Sequence, residues 1–265
     1  MVSFPPVISH HMRSLLGPLL EQAEGCTDLI VTMAGTFQAH GSTFAIPRIV
    51  FTGPEAEHEP IRVGVFATLH GDEPAGAHAV CEFVSELVAD PTIATGYDLV
   101  LYPVCNPYGF EKGTRANWSG LDLNREFWKG SELPEIRTLE TELRAHSFQG
   151  IIALHSDDTC EGVYGYAHGR VINESLLQPA LERAAALIPH DARDLIDGFP
   201  AAKGILRDCF RGVLSAPPDQ RPQPFDLIFE TPANHNLESQ VDATLSVLHS
   251  VLRDYRRFIA YAQDL

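Results

Sequence analysis

The chain has 265 residues, 45% of them hydrophobic, enough to bury a full core without covalent or metal staples. Its 19 Lys and Arg stand against 35 Asp and Glu, a net charge of −16, which argues against nucleic acid or an anionic membrane as the main partner. The cysteines Cys26, Cys81, Cys105, Cys160 and Cys209 are odd in number and scattered, so they read as reduced thiols of a reducing compartment, here the cytoplasm.

In chain order, residues from about 6 to 24 predict a helix, with no basic start and apolar block of a signal peptide before it. No apolar stretch reaches the length of a membrane span. "DLIVTMAGTFQAHGSTFAIPRIVFTG" predicts two strands turning near His40 and Gly41, and "IRVGVFATL" a strand buried on both faces. "PAGAHAVCEFVSELVAD" follows as a helix with Pro74 in its first turn. Strands are then expected at "YDLVLYPV", at "GIIALHS", more weakly at 203–206, and at "FDLIFET". Helices fall at "PEIRTLETELRAHS", at "NESLLQPALERAAALI" and from Leu237 to Ala262. This alternation, without repeats or low-complexity linkers, predicts one α/β domain over residues 1–265 with a largely parallel sheet. "SAPPDQRPQP" reads as a surface loop.

The polar chemistry gathers where strands end, which is where open α/β sheets hold their ligands. His70 and Glu73 form His-x-x-Glu in "LHGDEPAG", a spacing that brings an imidazole and a carboxylate to one cation. The same spacing recurs at His235 and Glu238, where it reads as chance. A catalytic zinc wants three protein ligands and an open position, and His155, ending "GIIAL", is the natural third. Any one of these histidines alone reads as a hydrogen-bonded strand-end residue. Two of them beside a glutamate favour a metal.

Between them lies "NPYGFEKGTRANWSGLDLNREFWKG", a loop too long to be mere connection. In it Asn124 and Arg125 stand side by side, suited to a carboxylate, and Arg115 is placed to polarise a carbonyl oxygen. A second polar loop, "HSDDTCEGVYGYAHG", again begins where a strand ends. Glu230 in "IFETP" is either a water-facing sheet-end residue or a general base, with Asp72 and Asp157 the next candidates by position.

With these blocks in this order, residues 60–232 resemble the zinc carboxypeptidase family and its succinylglutamate desuccinylase/aspartoacylase relatives; the Asp-Leu-Asn-Arg block is the most specific part. The resemblance implies a three-layer α/β/α sandwich around a mixed, mostly parallel eight-stranded sheet. It also implies one zinc on His70, Glu73 and His155, Glu230 as base, Asn124 and Arg125 on the substrate carboxylate, and Arg115 on the oxyanion.

The short stretch "RANWSGLDLNR" is similar to compact bacterial members of the murein peptide amidase type, and the helical tail after Glu230 departs from the β domain expected of the deacylase branch. The expected activity is thus cleavage of a peptide or amide bond beside a free carboxylate in a small peptide. The alternatives are an N-acyl-amino-acid deacylase and, in another class, a non-catalytic carboxylate-binding protein, against which an intact Glu230 argues. No tyrosine lies between Tyr166 and Tyr255, so the substrate-clamping tyrosine of the digestive enzymes is missing; Tyr164 and Tyr166 are the candidates to replace it.

Overall fold

A computed structural model describes residues 9–56 and 59–263. The elements run α1 (His10–Ala23), β1 (Leu29–Ala39), β2 (Ser42–Thr52), β3 (Ile61–Ala67), α2 (Ala75–Ala89), β4 (Tyr97–Tyr102), α3 (Pro107–Lys112), α4 (Pro134–His146) and β5 (Gly150–Asp157). They continue as β6 (Tyr164–Ala167), α5 (Arg170–Ile172), α6 (Gln178–Ala184), β7 (Leu195–Ile196), β8 (Phe199–Ala202), β9 (Ile205–Leu206), β10 (Phe225–Pro232) and α7 (Leu237–Gln263).

Among the described residues ten strands join one sheet in the order β1-β2-β4-β3-β5-β10-β6-β9-β8-β7. Its centre, β4-β3-β5-β10, is parallel, and antiparallel pairs flank it. The hairpin β1–β2 turns at His40 and Gly41, both at positive φ (48° and 76°), the geometry a two-residue hairpin turn demands.

Helices cover the first sheet face. Leu16 and Leu19 of α1, Val80, Phe83 and Val84 of α2, and Val247, Leu248 and Val251 of α7 pack there with Val63, Val65, Ile152, Leu154, Leu227 and Phe229. On the second face Ile136, Leu139 and Leu143 of α4 meet Phe66, Tyr102, Ile151 and Ala153. Alternate residues of the central strands therefore serve two cores, which is why these strands read as unbroken apolar runs. Helices on both faces make the expected three layers.

The ten strands exceed the eight implied by the resemblance, and the excess lies in the very short β7, β8 and β9. Two further differences from the expectation have local causes. The helix expected over 173–188 opens as a π turn over Asn173–Leu177, because Pro179 has no N–H to return to the Ser175 carbonyl. The first helix is described from His10, capped by Ser9 whose side chain accepts from the Met12 N–H; the expected start near residue 6 lies outside the described residues. All five cysteines are free. No helix among the described residues is long and apolar enough to cross a membrane.

Candidate metal centre and substrate cleft

The central strands deliver their ends to one place. β3 ends at Ala67, and the chain turns through Thr68 at φ 55°, a rare conformation for a β-branched residue, before presenting His70. Hydrogen bonds hold the turn: the Thr68 carbonyl accepts from the Asn106 N–H at 2.9 Å, and the Ala67 carbonyl from the Cys105 N–H at 3.0 Å. Gly71 lies so close to Gly109 and Phe110 that a Cβ would meet backbone at 1.9 Å. Glu73 then stands just before α2, and β5 supplies His155.

His70, Glu73 and His155 are all buried, and each offers a ligand atom within 4.8 Å of the others. His70 Nδ1 lies 2.6 Å from Glu73 Oε1, and His155 Nδ1 lies 2.9 Å from Glu73 Oε2. Two imidazole nitrogens and a carboxylate converging in a buried pocket suit zinc by donor type and number. The look-alike pair is different: His235 and Glu238 are exposed.

Each ring is also gripped from behind. His70 Nε2 lies 2.9 Å from Asp122 Oδ1, and His155 Nε2 lies 3.3 Å from Asn124 Nδ2. Asp122 accepts from the ring N–H that a metal on Nδ1 leaves on His70, the kind of partner that orients a metal-binding imidazole; Asn124 Nδ2 is itself a donor and pairs with His155 only while Nε2 carries no proton. Asp122 is not among the residues that the sequence pattern singles out, although it stands two positions before Asn124 in the same block.

Electrostatics follow from this packing. Burial disfavours the Glu73 carboxylate, but the adjacent His155 and His70 outweigh it and hold its pKa at about 2. Burial lowers the His155 pKa. His70, which touches two carboxylates, is raised despite its burial.

Glu230, the sixth of the eight residues of β10, stands in direct register with His155 on β5 and with Tyr164 on β6. Its pKa is raised well above that of an ordinary glutamate by burial first, then by Glu73, Asp157 and Asp197. It lines, with His70, Glu73, Arg115, Asn124 and Arg125, a cleft of about 460 Å³.

The cationic loop reaches the same cleft. Arg115 bridges the cluster, with Nη1 3.3 Å from Glu73 Oε1 and Nη2 3.0 Å from Asp122 Oδ2. Arg125 donates from Nη1 to the Asn124 carbonyl at 2.8 Å and stacks its guanidinium 4.1 Å from the centre of the Phe210 ring. The amide of Asn124 is engaged at both ends, since its Oδ1 accepts from the Leu214 N–H at 2.8 Å. In this geometry Asn124 braces His155 and the 214 segment.

Both candidate tyrosines lie on β6, a four-residue strand inside what reads from sequence as a loop. Tyr164 is buried and donates to Asp157 Oδ2 at 3.0 Å; it and Tyr166, its neighbour on the same strand face, line the cleft.

A model of the succinylglutamate desuccinylase/aspartoacylase catalytic domain matches residues 60–187. No curated protein matches the chain significantly in sequence. Among solved structures, a candidate metallopeptidase from Shewanella amazonensis is similar with a TM-score of 0.73 at 22% identity, over 91% of both chains. A metallo-carboxypeptidase from Burkholderia cenocepacia is similar with a TM-score of 0.72 at 17% identity, over 94% of this chain and 70% of that one. Another, from Pseudomonas aeruginosa and in complex with (2-guanidinoethylmercapto)succinic acid, gives 0.66 at 19% identity, over 91% of this chain and 68% of its own. The chain thus has the fold of the metallo-carboxypeptidases, and the stretch carrying His70, Glu73, Arg115, Asn124, Arg125 and His155 resembles the succinylglutamate desuccinylase/aspartoacylase catalytic domain.

Proposed function

We propose that this chain is a single-domain, cytoplasmic, zinc-dependent metallohydrolase that cleaves a peptide or amide bond beside a free carboxylate. The observation that carries the reading is the buried His70–Glu73–His155 cluster opening on a cleft with a carboxylate of raised pKa and two arginines. His70, Glu73 and His155 would hold the zinc. When bound, zinc supplies a Lewis acid that lowers the pKa of a water to about 7.

The chain's own groups do the rest. Glu230 takes a proton from the attacking water at its carboxylate and passes it to the leaving nitrogen, a role its strand-end position and raised pKa support. Arg115 offers guanidinium N–H groups to the oxygen that gains negative charge. Arg125, pre-positioned by Phe210 and the Asn124 carbonyl, takes the substrate carboxylate. The Asn124 Nδ2 donor is released from His155 once that ring carries its proton on Nε2, and is then free for the substrate carboxylate, while Oδ1 keeps the Leu214 N–H.

A second reading is supported by the family match over residues 60–187, namely an N-acyl-amino-acid deacylase using the same groups. The first is preferred because the chain passes from β10 directly to α7, which packs on the sheet, with no β domain at that point. The test is turnover by zinc-loaded protein of short peptides, cell-wall tripeptides and N-acyl amino acids, each beside its C-terminally amidated twin. Carboxylate substrates should be preferred, and Arg125→Ala should lose that preference with KM rising more than kcat falls. Turnover of N-acyl amino acids alone would select the deacylase. No turnover of any carboxylate substrate would leave only the non-catalytic binding protein.

A further inference from the structure

The long polar loop between β4 and β5 opens with Asn106, a residue to which the proposed reaction gives no part. Its side chain is fully buried, and both ends of its amide are engaged. Oδ1 accepts from the Gly109 N–H at 2.9 Å and so caps α3. Nδ2 donates to the Leu69 carbonyl and to the Arg115 carbonyl, each at 3.3 Å. With its main-chain N–H on the Thr68 carbonyl as well, one residue joins the turn that presents His70 to the stretch that carries Arg115.

Capping does not by itself call for asparagine. Ser, Thr and Asp supply the same oxygen to a helix N-terminus, but among these capping side chains only asparagine adds two N–H donors, and here each donor has its own carbonyl. The surroundings are fitted to that amide. A Cβ on Gly109 would lie 2.5 Å from Asn106 Nδ2 and 2.7 Å from the Thr114 carbonyl oxygen. The Gly109 carbonyl in turn accepts from the Thr114 N–H at 3.0 Å, so the chain is fixed just before Arg115 as well as at its carbonyl.

Arg115 needs such an anchor. It lies outside any helix or strand, and its side chain is half exposed. The ion pairs with Glu73 and Asp122 orient the guanidinium, but they do not fix the backbone from which it extends. Misplacing a group by about 1 Å at a reacting centre costs about 10²-fold in rate.

Resting on the metallohydrolase reading above, we infer that Asn106 is a positioning residue of the reaction, holding the backbone of Arg115 in register with the turn that presents His70. It touches no substrate and acts through Arg115. Because Arg115 serves the oxygen that gains charge only in the transition state, the contribution of Asn106 falls on kcat rather than on KM.

The test is a double-mutant cycle on zinc-loaded protein, using whichever carboxylate peptide the wild type turns over best. Asn106→Asp keeps the size and the capping oxygen and loses both donors; Asn106→Ser does the same without adding a charge. With zinc occupancy held at the wild-type level by excess metal, each should lower kcat by about 10- to 100-fold and leave KM within about threefold. In an Arg115→Ala background the same substitutions should lower kcat by less than about threefold, because the group they position is gone. An unchanged kcat, equal losses in the two backgrounds, a loss expressed in KM, or failure of both variants to fold would make Asn106 a structural residue only, overturning the inference and leaving the metallohydrolase standing. If the wild type turns over no carboxylate peptide, the metallohydrolase reading itself fails and this inference falls with it.

Discussion

His155, the sixth residue of β5, stands directly beside Glu230, the sixth residue of β10, in a parallel ladder. Adjacent strands lie about 4.8 Å apart, so the backbone rather than any side-chain contact sets the spacing between a candidate metal ligand and the candidate base. Glu73 meets the same point across 82 residues, accepting from the Ser156 N–H at 3.1 Å as well as contacting His155. The ladder gives each of these groups a separate test.

Purified protein should carry one zinc per chain, and His155→Ala should lose it, because two nitrogens and one carboxylate leave no spare ligand. His235→Ala, altering an exposed histidine, should keep full zinc. Elemental analysis of both variants decides; zinc retained by the first and lost by the second would reverse the ligand assignment.

Asp122 should matter to the metal without touching it. Its Oδ1 orients His70 and its Oδ2 holds Arg115, so Asp122→Asn should weaken zinc affinity by about 10- to 100-fold, as loss of such a partner does. Chelator competition measures this, and unchanged affinity would reduce Asp122 to a loop-capping residue.

Glu230→Gln removes the proton acceptor and keeps the shape. Turnover should fall by at least about 10²-fold with zinc content near wild type. A base works only when ionised, so wild-type kcat/KM should rise with pH as Glu230 loses its proton, and that limb should flatten in the variant. Should the variant keep near wild-type turnover, the base must be sought at Asp72 or Asp157.

Asp226 should cost stability. Its folded pKa of about 6 lies above the unfolded value of 3.8, so the folded state holds the proton more tightly. Stability from this group is full below about pH 4 and is lost as pH rises through about 6. Asp226→Asn should therefore be more stable than wild type at pH 7.5 by about 3 kcal/mol, with the gain shrinking toward pH 4. Urea denaturation at both pH values measures it; an equal difference at both would mean the gain is not electrostatic.

The local grammar of this chain was legible without coordinates. Unbroken apolar runs marked β3, β5 and β10 because those strands are buried on both faces, and His40-Gly41 marked its hairpin because few pairs accept two positive φ values. His70, Glu73, His155 and Glu230 stood out because each ends or follows such a run. What short windows could not carry were features made by partners far along the chain. The strand β6 is only four residues long and is held by pairing with β10 and β9. The hold of Asp122 on His70 spans 52 residues, and the brace from Asn124 to Leu214 spans 90. Asp226 reads in sequence as an ordinary polar residue of a strand; only the folding of 209–216 over that strand face encloses it and leaves its oxygen without a partner. Sequence pattern determines which residues can stand at strand ends, because that depends on local burial and period. Which of them meet, and what they lack when they do, is decided by sheet order and loop packing.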